Sequence, residues 1–323
     1  MKVLLTGGAG FIGSHLGERL LADGHEVCVL DCFNDYYDSS FKRANVEPLL
    51  DRDDYRLVEG DIRDRELIDR LFEESGFEGV IHLAAMPGVR NSVSDPQSYF
   101  DINLNGTITL LEAARRTGGI PFVFGSSSSV YGESVNLPFS EDDPDLKPVS
   151  PYASSKRAGE LICYTYHHLY GFPITALRFF TVYGPRQRPE MAIAHFTQKV
   201  YDNEEIPLYG DGSARRDFTH VSDIVDGTVR ALERADGYRV YNLGESETIT
   251  MLELIELIGA AVGRDAKIRF LPKEAGDVPT TWADVSRARE ELGYDPSMPI
   301  REGIRDYADW YKKQREAQGT PTR

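Results

Sequence analysis

Across the first 178 residues, short apolar runs alternate with stretches whose apolar positions recur every three or four residues. The runs at 3–5, 27–30, 55–58, 79–83, 122–124 and 174–177 are almost wholly apolar, as strands buried on both faces must be. Helical patterns lie between them, at 12–22, 40–50, 64–74, 96–116 and Pro151–Tyr170. In the first of these, Leu16, Leu20 and Leu21 share one side. This alternation predicts an α/β fold built on a doubly wound parallel sheet. Ligands of such sheets sit beyond the carboxyl ends of the strands. Gly7, Asp31, Asp61, Ala84 and Ser126 all fall at predicted strand ends and are expected to converge.

Beyond Arg178 the alternation stops. Prolines and glycines crowd Gly184-Pro185, Pro189, Pro207 and Gly210 to Gly212. Short apolar runs at 208–209, Tyr238–Leu243 and Lys267–Leu271 are mixed with helices. The expected organisation is a first domain at 1–178 and a smaller mixed α/β domain made of 179–220 and 236–315. Residues 221–235 are expected to return to the first domain, and 316–323 to form a polar, frayed tail.

The first strand runs into T-G-G-A-G-F-I-G, with glycines at 7, 10 and 13. A strand turning through glycines into a helix N-terminus lets bare backbone approach a pyrophosphate, whose charge meets free N–H groups and the helix dipole. Gly7, Gly10, Phe11, Ile12 and Gly13 are therefore candidate cofactor contacts. The spacing is one residue longer than G-x-G-x-x-G. The strand before, the helix after and Asp31 closing the second strand support a Rossmann-type site nonetheless. An acid at that strand end takes the adenosine ribose hydroxyls and repels a 2′-phosphate, which predicts NAD rather than NADP. Ala84 and Ala85 leave room for a flat ring after the fourth strand.

Composition narrows the possibilities only a little. At 323 residues and 41% hydrophobic, the chain can fill two domains. Its net charge of −16 argues against a nucleic-acid partner, and an anionic ligand must be held by local arginines. No stretch reaches the ~18 apolar residues of a membrane span, and the N-terminus leads directly into a strand. Neither a membrane association nor a signal peptide is expected. Cys28, Cys32 and Cys163 lack metal-ligand spacing, which suits a reducing cytoplasm and a protein without a metal. His167 and His168 also lack spaced partners and read as ordinary helix residues.

The chemistry concentrates at Tyr152-Ala153-Ser154-Ser155-Lys156, which opens a helix. Residues at i and i+4 share a face, so the phenol and the ammonium point the same way. A tyrosine of ordinary pKa ~10 is a poor base, and bringing it to ~7 takes roughly 4 kcal/mol of differential stabilisation. A lysine and an oxidised nicotinamide could supply it. Ser126 to Ser129, just past the fifth strand, are ordinary loop residues by composition. At the ligand end of the sheet, however, a hydroxyl can bridge a substrate oxygen and the tyrosine.

These motifs resemble the extended short-chain dehydrogenase/reductases over nearly the whole chain. Shared with that superfamily are T-G-G-A-G-F-I-G, G-D-I-R-D, H-L-A-A, S-S-V-Y-G and Y-A-S-S-K. D-C-F-N-D-Y-Y-D, A-A-M-P-G-V-R and R-F-F-T-V-Y-G-P-R-Q-R-P-E-M-A resemble the UDP-glucuronate 4-epimerases more narrowly. The resemblance implies that Tyr152 is the base, Lys156 holds the nicotinamide ribose, and Ser127 is the hydroxyl partner. It implies that Asp61 and Ile62 meet adenine, and that Leu83, Asn103 and Ser126 complete the NAD contacts. It also implies the reaction: the sugar C4 is oxidised, the 4-keto sugar rotates, and hydride returns to the other face. A homodimer is implied through the helices at 96–116 and Pro151–Tyr170, with Ile102, Leu110, Leu161 and Tyr164 supplying the apolar faces.

The serine turn separates the subfamilies. Sugar-nucleotide dehydratases carry Asp-Glu at the positions of Ser128 and Ser129, and uronate decarboxylases carry glutamate at the latter. Serines at both positions, with Thr181 and Arg188, suit an enzyme that must hold a carboxylate without losing it. Neutral-sugar epimerases place asparagine at the Thr181 position. Arg90 and Ala192 lie within the two uronate-type motifs. By resemblance Arg216 holds the pyrophosphate, Tyr209 stacks on uracil and Asp277 takes the uridine ribose. Glu274 stands where glucose epimerases have a second phosphate arginine, which leaves Lys273 or Arg90 to replace it. The expected ligand is therefore a UDP-sugar, most simply UDP-glucuronate. A UDP-glucose or N-acetylhexosamine 4-epimerase, a uronate decarboxylase and a non-catalytic NAD-binding scaffold are the alternatives.

Overall fold

A computed structural model describes residues 1–273 and 278–317. The predicted strands are present as β1 (Lys2–Thr6), β2 (Glu26–Asp31), β3 (Tyr55–Glu59), β4 (Gly79–His82), β5 (Phe122–Ser127) and β6 (Ile174–Phe179). With Tyr238–Leu243 they form one parallel sheet, in the order Tyr238–Leu243, β6, β5, β4, β1, β2, β3. The chain reverses direction across the sheet between β1 and β4, and the carboxyl ends of these two strands flank the crevice.

Side chains of each strand alternate between two cores. Val3 and Leu5 of β1 pack with Leu16, Leu20, Ile224 and Val229 on one face, whereas Leu4 packs with Leu71, Phe72, Leu111 and Cys163 on the other. Burial on both faces is why these strands read as unbroken apolar runs. The helices supplying the first face are Phe11–Ala22 and Val221–Glu233, so residues after 220 do come back beneath the sheet. A third core lies where Ala192–Tyr201, Met251–Val262 and Ile300–Ala317 enclose the parallel pair Glu205–Tyr209 and Lys267–Leu271.

Three expectations need correction. Tyr238–Leu243, expected in the smaller domain, pairs residue for residue with β6 as an edge of the main sheet. Its first half, Tyr238 to Val240, is only partly covered, as an edge strand is, while Tyr241 to Leu243 are buried. The single helix expected at 96–116 is two helices, Pro96–Phe100 and Gly106–Arg116, joined by a wide helical turn at Asp101–Asn105. That turn drives Asn103 inward. Finally, Glu316 and Ala317 are not frayed but continue the last helix, and the rest of the expected tail lies outside the described residues.

Candidate active site

One cavity of about 430 Å3 runs along the carboxyl ends of the strands. Gly7, Gly10, Phe11, Ile12 and Gly13 line it, with Asp31, Asp61, Ile62, Leu83, Ala84 and Ala85. Ser126 to Ser129, Tyr152, Lys156, Thr181 and Arg188 line it too. Residues from Gly7 through Arg188 are thus gathered around one space.

The glycine turn is closed by contact. Gly7 has φ +72°, and a β-carbon there would meet the Ala84 nitrogen at 2.8 Å. A β-carbon on Gly13 would lie 2.2 Å from the Gly7 carbonyl oxygen, so only glycine allows the helix to start there. Gly10 meets only that same oxygen, at 3.2 Å. Its bare backbone therefore faces the cavity at the start of Phe11–Ala22, a cradle suited to a pyrophosphate.

Asp31 closes β2 and is buried. Its carboxylate accepts from Ala9 N at 3.2 Å and Phe33 N at 2.9 Å. Lys42 Nζ lies 3.1 Å from the same group and 3.2 Å from Asn34 Oδ1. Lys42, Asn34, Tyr36 and Tyr37 all reach the cavity; the last three belong to the D-C-F-N-D-Y-Y-D motif, whereas Lys42 lies outside every motif of the sequence. Nothing in the spacing of an exposed-looking lysine eleven residues after Asp31 signals that it folds back to pair there. Asp61 is held low by Arg63, which donates to both of its oxygens.

Behind the cavity floor a chain of hydrogen bonds fixes the end of β4. Ala84 N donates to Thr6 Oγ1, whose hydroxyl lies 2.7 Å from His82 Nδ1. His82 Nε2 lies 2.9 Å from Thr107 Oγ1, which donates to the Asn103 carbonyl. The pattern requires neutral imidazole with its proton on Nε2, and burial pushes the His82 pKa down to about 3.

Tyr152 and Lys156 enter from Pro151–Tyr170, which starts on a Ser150 cap and ends on Gly171 in the left-handed conformation. Lys156 is buried and donates to the Gly125 carbonyl at 2.7 Å; burial draws its pKa down to about 8. Burial raises the Tyr152 pKa, against a hydrogen bond with Ser127 and the charge of Arg188, both of which lower it. The protein alone thus keeps the phenol protonated, and its two opposing influences come from residues that line the cavity. One turn after Lys156, Glu160 accepts from Ser126 Oγ at 2.6 Å and pairs twice with buried Arg178. Lysine and glutamate on one helix face therefore hold adjacent residues of β5.

Ser127 also caps the short turn Ser128–Tyr131, accepting from Ser129 N at 3.2 Å and donating to Ser129 Oγ at 3.0 Å. Arg188 Nη1 lies 3.0 Å from Glu190, and the guanidinium sits 5.6 Å from the Tyr36 ring.

Several expected site residues lie elsewhere. Asn103 is buried with its amide satisfied by Met86 and Ser155, so it braces the strand end from behind. Arg90 and Tyr209 are absent from the cavity wall and stack on each other at 5.1 Å. Arg216 donates to the Arg215 carbonyl. Ala192 opens a helix next to the lining residue Met191. Asp277 and Glu274 lie outside the described residues.

A doubly wound sheet with a glycine turn after β1, an acid closing β2 and Tyr-x-x-x-Lys facing them defines an extended short-chain dehydrogenase/reductase. The chain belongs to the GDP-mannose 4,6 dehydratase family, which it matches over residues 4–307. It is 40% identical over 312 residues to a UDP-glucuronate 4-epimerase of Thermodesulfobacterium geofontis, with 96% of each chain covered. Its fold is similar to a Bacillus cereus UDP-glucuronic acid 4-epimerase solved with UDP-glucuronic acid and NAD. The TM-score is 0.92 and the identity 37%, with 97% of this chain and 100% of that one covered. A Thermotoga maritima UDP-glucose 4-epimerase solved with UDP-glucose matches at TM-score 0.90 and 33% identity, covering 97% and 99%.

Proposed function

We propose that the protein interconverts UDP-glucuronate and UDP-galacturonate by NAD-dependent epimerisation at C4. One observation carries the choice of sugar. The cavity that contains Tyr152 and Lys156 also presents Ser128, Ser129, Thr181 and Arg188, three hydroxyls and a cation. No carboxylate stands on the serine turn, where elimination or decarboxylation would employ one. The Bacillus cereus relative, solved with UDP-glucuronic acid and NAD, supports the same reading.

Gly7, Gly10 and Gly13 would hold the NAD pyrophosphate, Asp31 with Lys42 the adenosine ribose, and Lys156 the nicotinamide ribose. Bound NAD supplies a reversible hydride acceptor for C4. Tyr152 takes the proton from O4, with Ser127 bridging the two oxygens, and returns it after the 4-keto sugar has rotated. Lys156 adds positive charge beneath the phenolate. Arg188 and the three hydroxyls keep the C5 carboxylate charged and turned away from the alignment in which a β-keto acid loses CO2.

The same reading includes a homodimer. Leu161 and Tyr164 are about half exposed on one face of Pro151–Tyr170, as an unpaired helix face would be. Leu110 takes no part in it, because it is fully buried against the sheet. Unpaired cysteines make the cytoplasm the expected compartment. The test of function is incubation of the purified protein with UDP-glucuronate, UDP-glucose and UDP-xylose separately, with chromatography of the products. Formation of UDP-galacturonate is expected. Faster conversion of UDP-glucose would make it a neutral-sugar epimerase.

A further inference from the structure

The segment that brings Arg188 to the cavity is fastened from across the molecule. Pro185 and Arg186 both contact Phe11–Ala22, the helix that opens on the glycine turn. His15 Nε2 lies 2.9 Å from the Pro185 carbonyl oxygen, to which it donates. Glu18, nearly one turn further along, accepts from Arg186 Nη2 at 2.6 Å. These contacts join residues separated by 170 and 168 positions. Arg186 is mostly covered while the Glu18 carboxylate stays partly exposed; burial keeps the His15 pKa below its ordinary value, so the imidazole acts as a neutral donor.

The backbone between the two anchors is unusual. Arg186 has φ +66°, a left-handed conformation that a residue with a β-carbon adopts only where its surroundings hold it. Gln187 follows, donating from its backbone N to Gly184 O at 3.1 Å and from its side chain to Val182 O at 3.0 Å. Arg188 comes next and lines the cavity. Its placement is thus set by a strained residue whose side chain is tied to the cofactor-facing helix. Residues 185 and 186 themselves do not line the cavity, so the ties have no direct ligand to explain them.

We propose that His15 and Glu18 are positioning residues that set the enzyme's preference for an anionic sugar, by fixing Arg188 relative to the helix beneath the cofactor. The proposal rests on Arg188 being the carboxylate ligand. Holding that arginine from the cofactor helix keeps the carboxylate and the reacting C4 in one frame. A brace that merely joined two parts of the fold would affect charged and neutral sugars alike. The anchors instead act on the one group that distinguishes them.

The test uses the full-length NAD-loaded protein and three measurements. These are the dissociation constants of UDP-glucuronate and UDP-glucose by calorimetry, the CO2-losing fraction of UDP-glucuronate turnover, and NAD content per chain. The variants are His15→Leu/Glu18→Ala, Glu18→Gln, His15→Gln and Arg188→Ala. The double variant should weaken UDP-glucuronate about tenfold, the size of one misplaced charge-assisted hydrogen bond, and raise the CO2-losing fraction. UDP-glucose affinity and NAD content should stay within twofold. Glu18→Gln, which keeps the side-chain volume, should follow in the same direction by a smaller factor, and stands in if the double variant does not fold. His15→Gln retains an N–H donor and should resemble the parent. Equal weakening of both sugars, or loss of NAD, would overturn the proposal and leave a structural brace. If Arg188→Ala weakens UDP-glucuronate selectively while neither the double variant nor Glu18→Gln does, the anchoring fails and the carboxylate reading stands. If Arg188→Ala itself leaves the preference unchanged, the carboxylate reading fails and the proposal falls with it.

Discussion

Lys42 Nζ lies 3.1 Å from Asp31 Oδ1, and both side chains are buried at the end of the cavity beside β2. The acid at the end of β2 is therefore compensated by a cation, and together the pair offers an acceptor and a donor to ribose hydroxyls. The purified protein is expected to carry NAD(H), released on denaturation and measured at 260 nm. Apo-protein should be restored by NAD and not by NADP. Lys42→Met should lower the retained NAD, since it leaves a buried carboxylate unpaired; unchanged NAD content would remove Lys42 from the site.

Tyr152→Phe removes the phenolic proton acceptor and little else. Turnover of UDP-glucuronate should fall by about 10² or more, with NAD content and melting temperature unchanged. Activity within threefold of the parent would take Tyr152 out of its role.

On the proposed reading, Arg188→Ala and Thr181→Val each remove one hold on the C5 carboxylate, worth roughly 1.5–3 kcal/mol where the bond is charge-assisted. If half of that loss appears in the barrier to CO2 release, the pentose side product should rise several-fold, since 1.4 kcal/mol is about tenfold. UDP-glucose, having no carboxylate, should be handled no worse by these variants. Parallel loss of both substrates without extra CO2 would reduce these residues to pocket walls.

His82 gives a dependence on pH with a definite sign. Its pKa falls to about 3 in the folded protein because it is buried as the neutral link between Thr6 and Thr107. The unfolded chain binds that proton near pH ~6.5, so the stabilisation is present above that value and is lost as pH falls below it. Each unit below costs about 1.4 kcal/mol from this residue. Denaturant unfolding at pH 6.5 and pH 5 should show a steeper loss in the parent than in His82→Gln, by about one proton. Equal slopes would mean that His82 titrates alike in both states.

Light scattering at micromolar concentration should give a homodimer. Leu161→Asp/Tyr164→Asp should convert it to a monomer that still binds NAD, because neither side chain lines the cavity. A monomeric parent would refute the interface.

The strands and the turn-to-helix entry were legible because their causes are local: apolar runs buried on two faces, and glycines where a β-carbon would collide. Tyr152 and Lys156 were legible because four residues on a helix fix their relation. Lys42, the bracing position of Asn103 and the His15 contact with Pro185 were not, since each depends on where distant segments meet. The edge strand Tyr238–Leu243 was misread for the same reason. Its residue pattern marks a strand but does not say which strand lies beside it.

That strand has a consequence for dividing the chain. Tyr238–Leu243 pairs along the whole of β6, and Val221–Glu233 just before it covers the sheet. A fragment cut at residue 178 would end within β6 and expose an unpaired edge, with apolar side chains of Ile81, Val123 and Leu177 left uncovered beneath it. Such an edge invites pairing with other copies and precipitation. An exchange of the segments beyond residue 178 must therefore leave the 221–243 return in place.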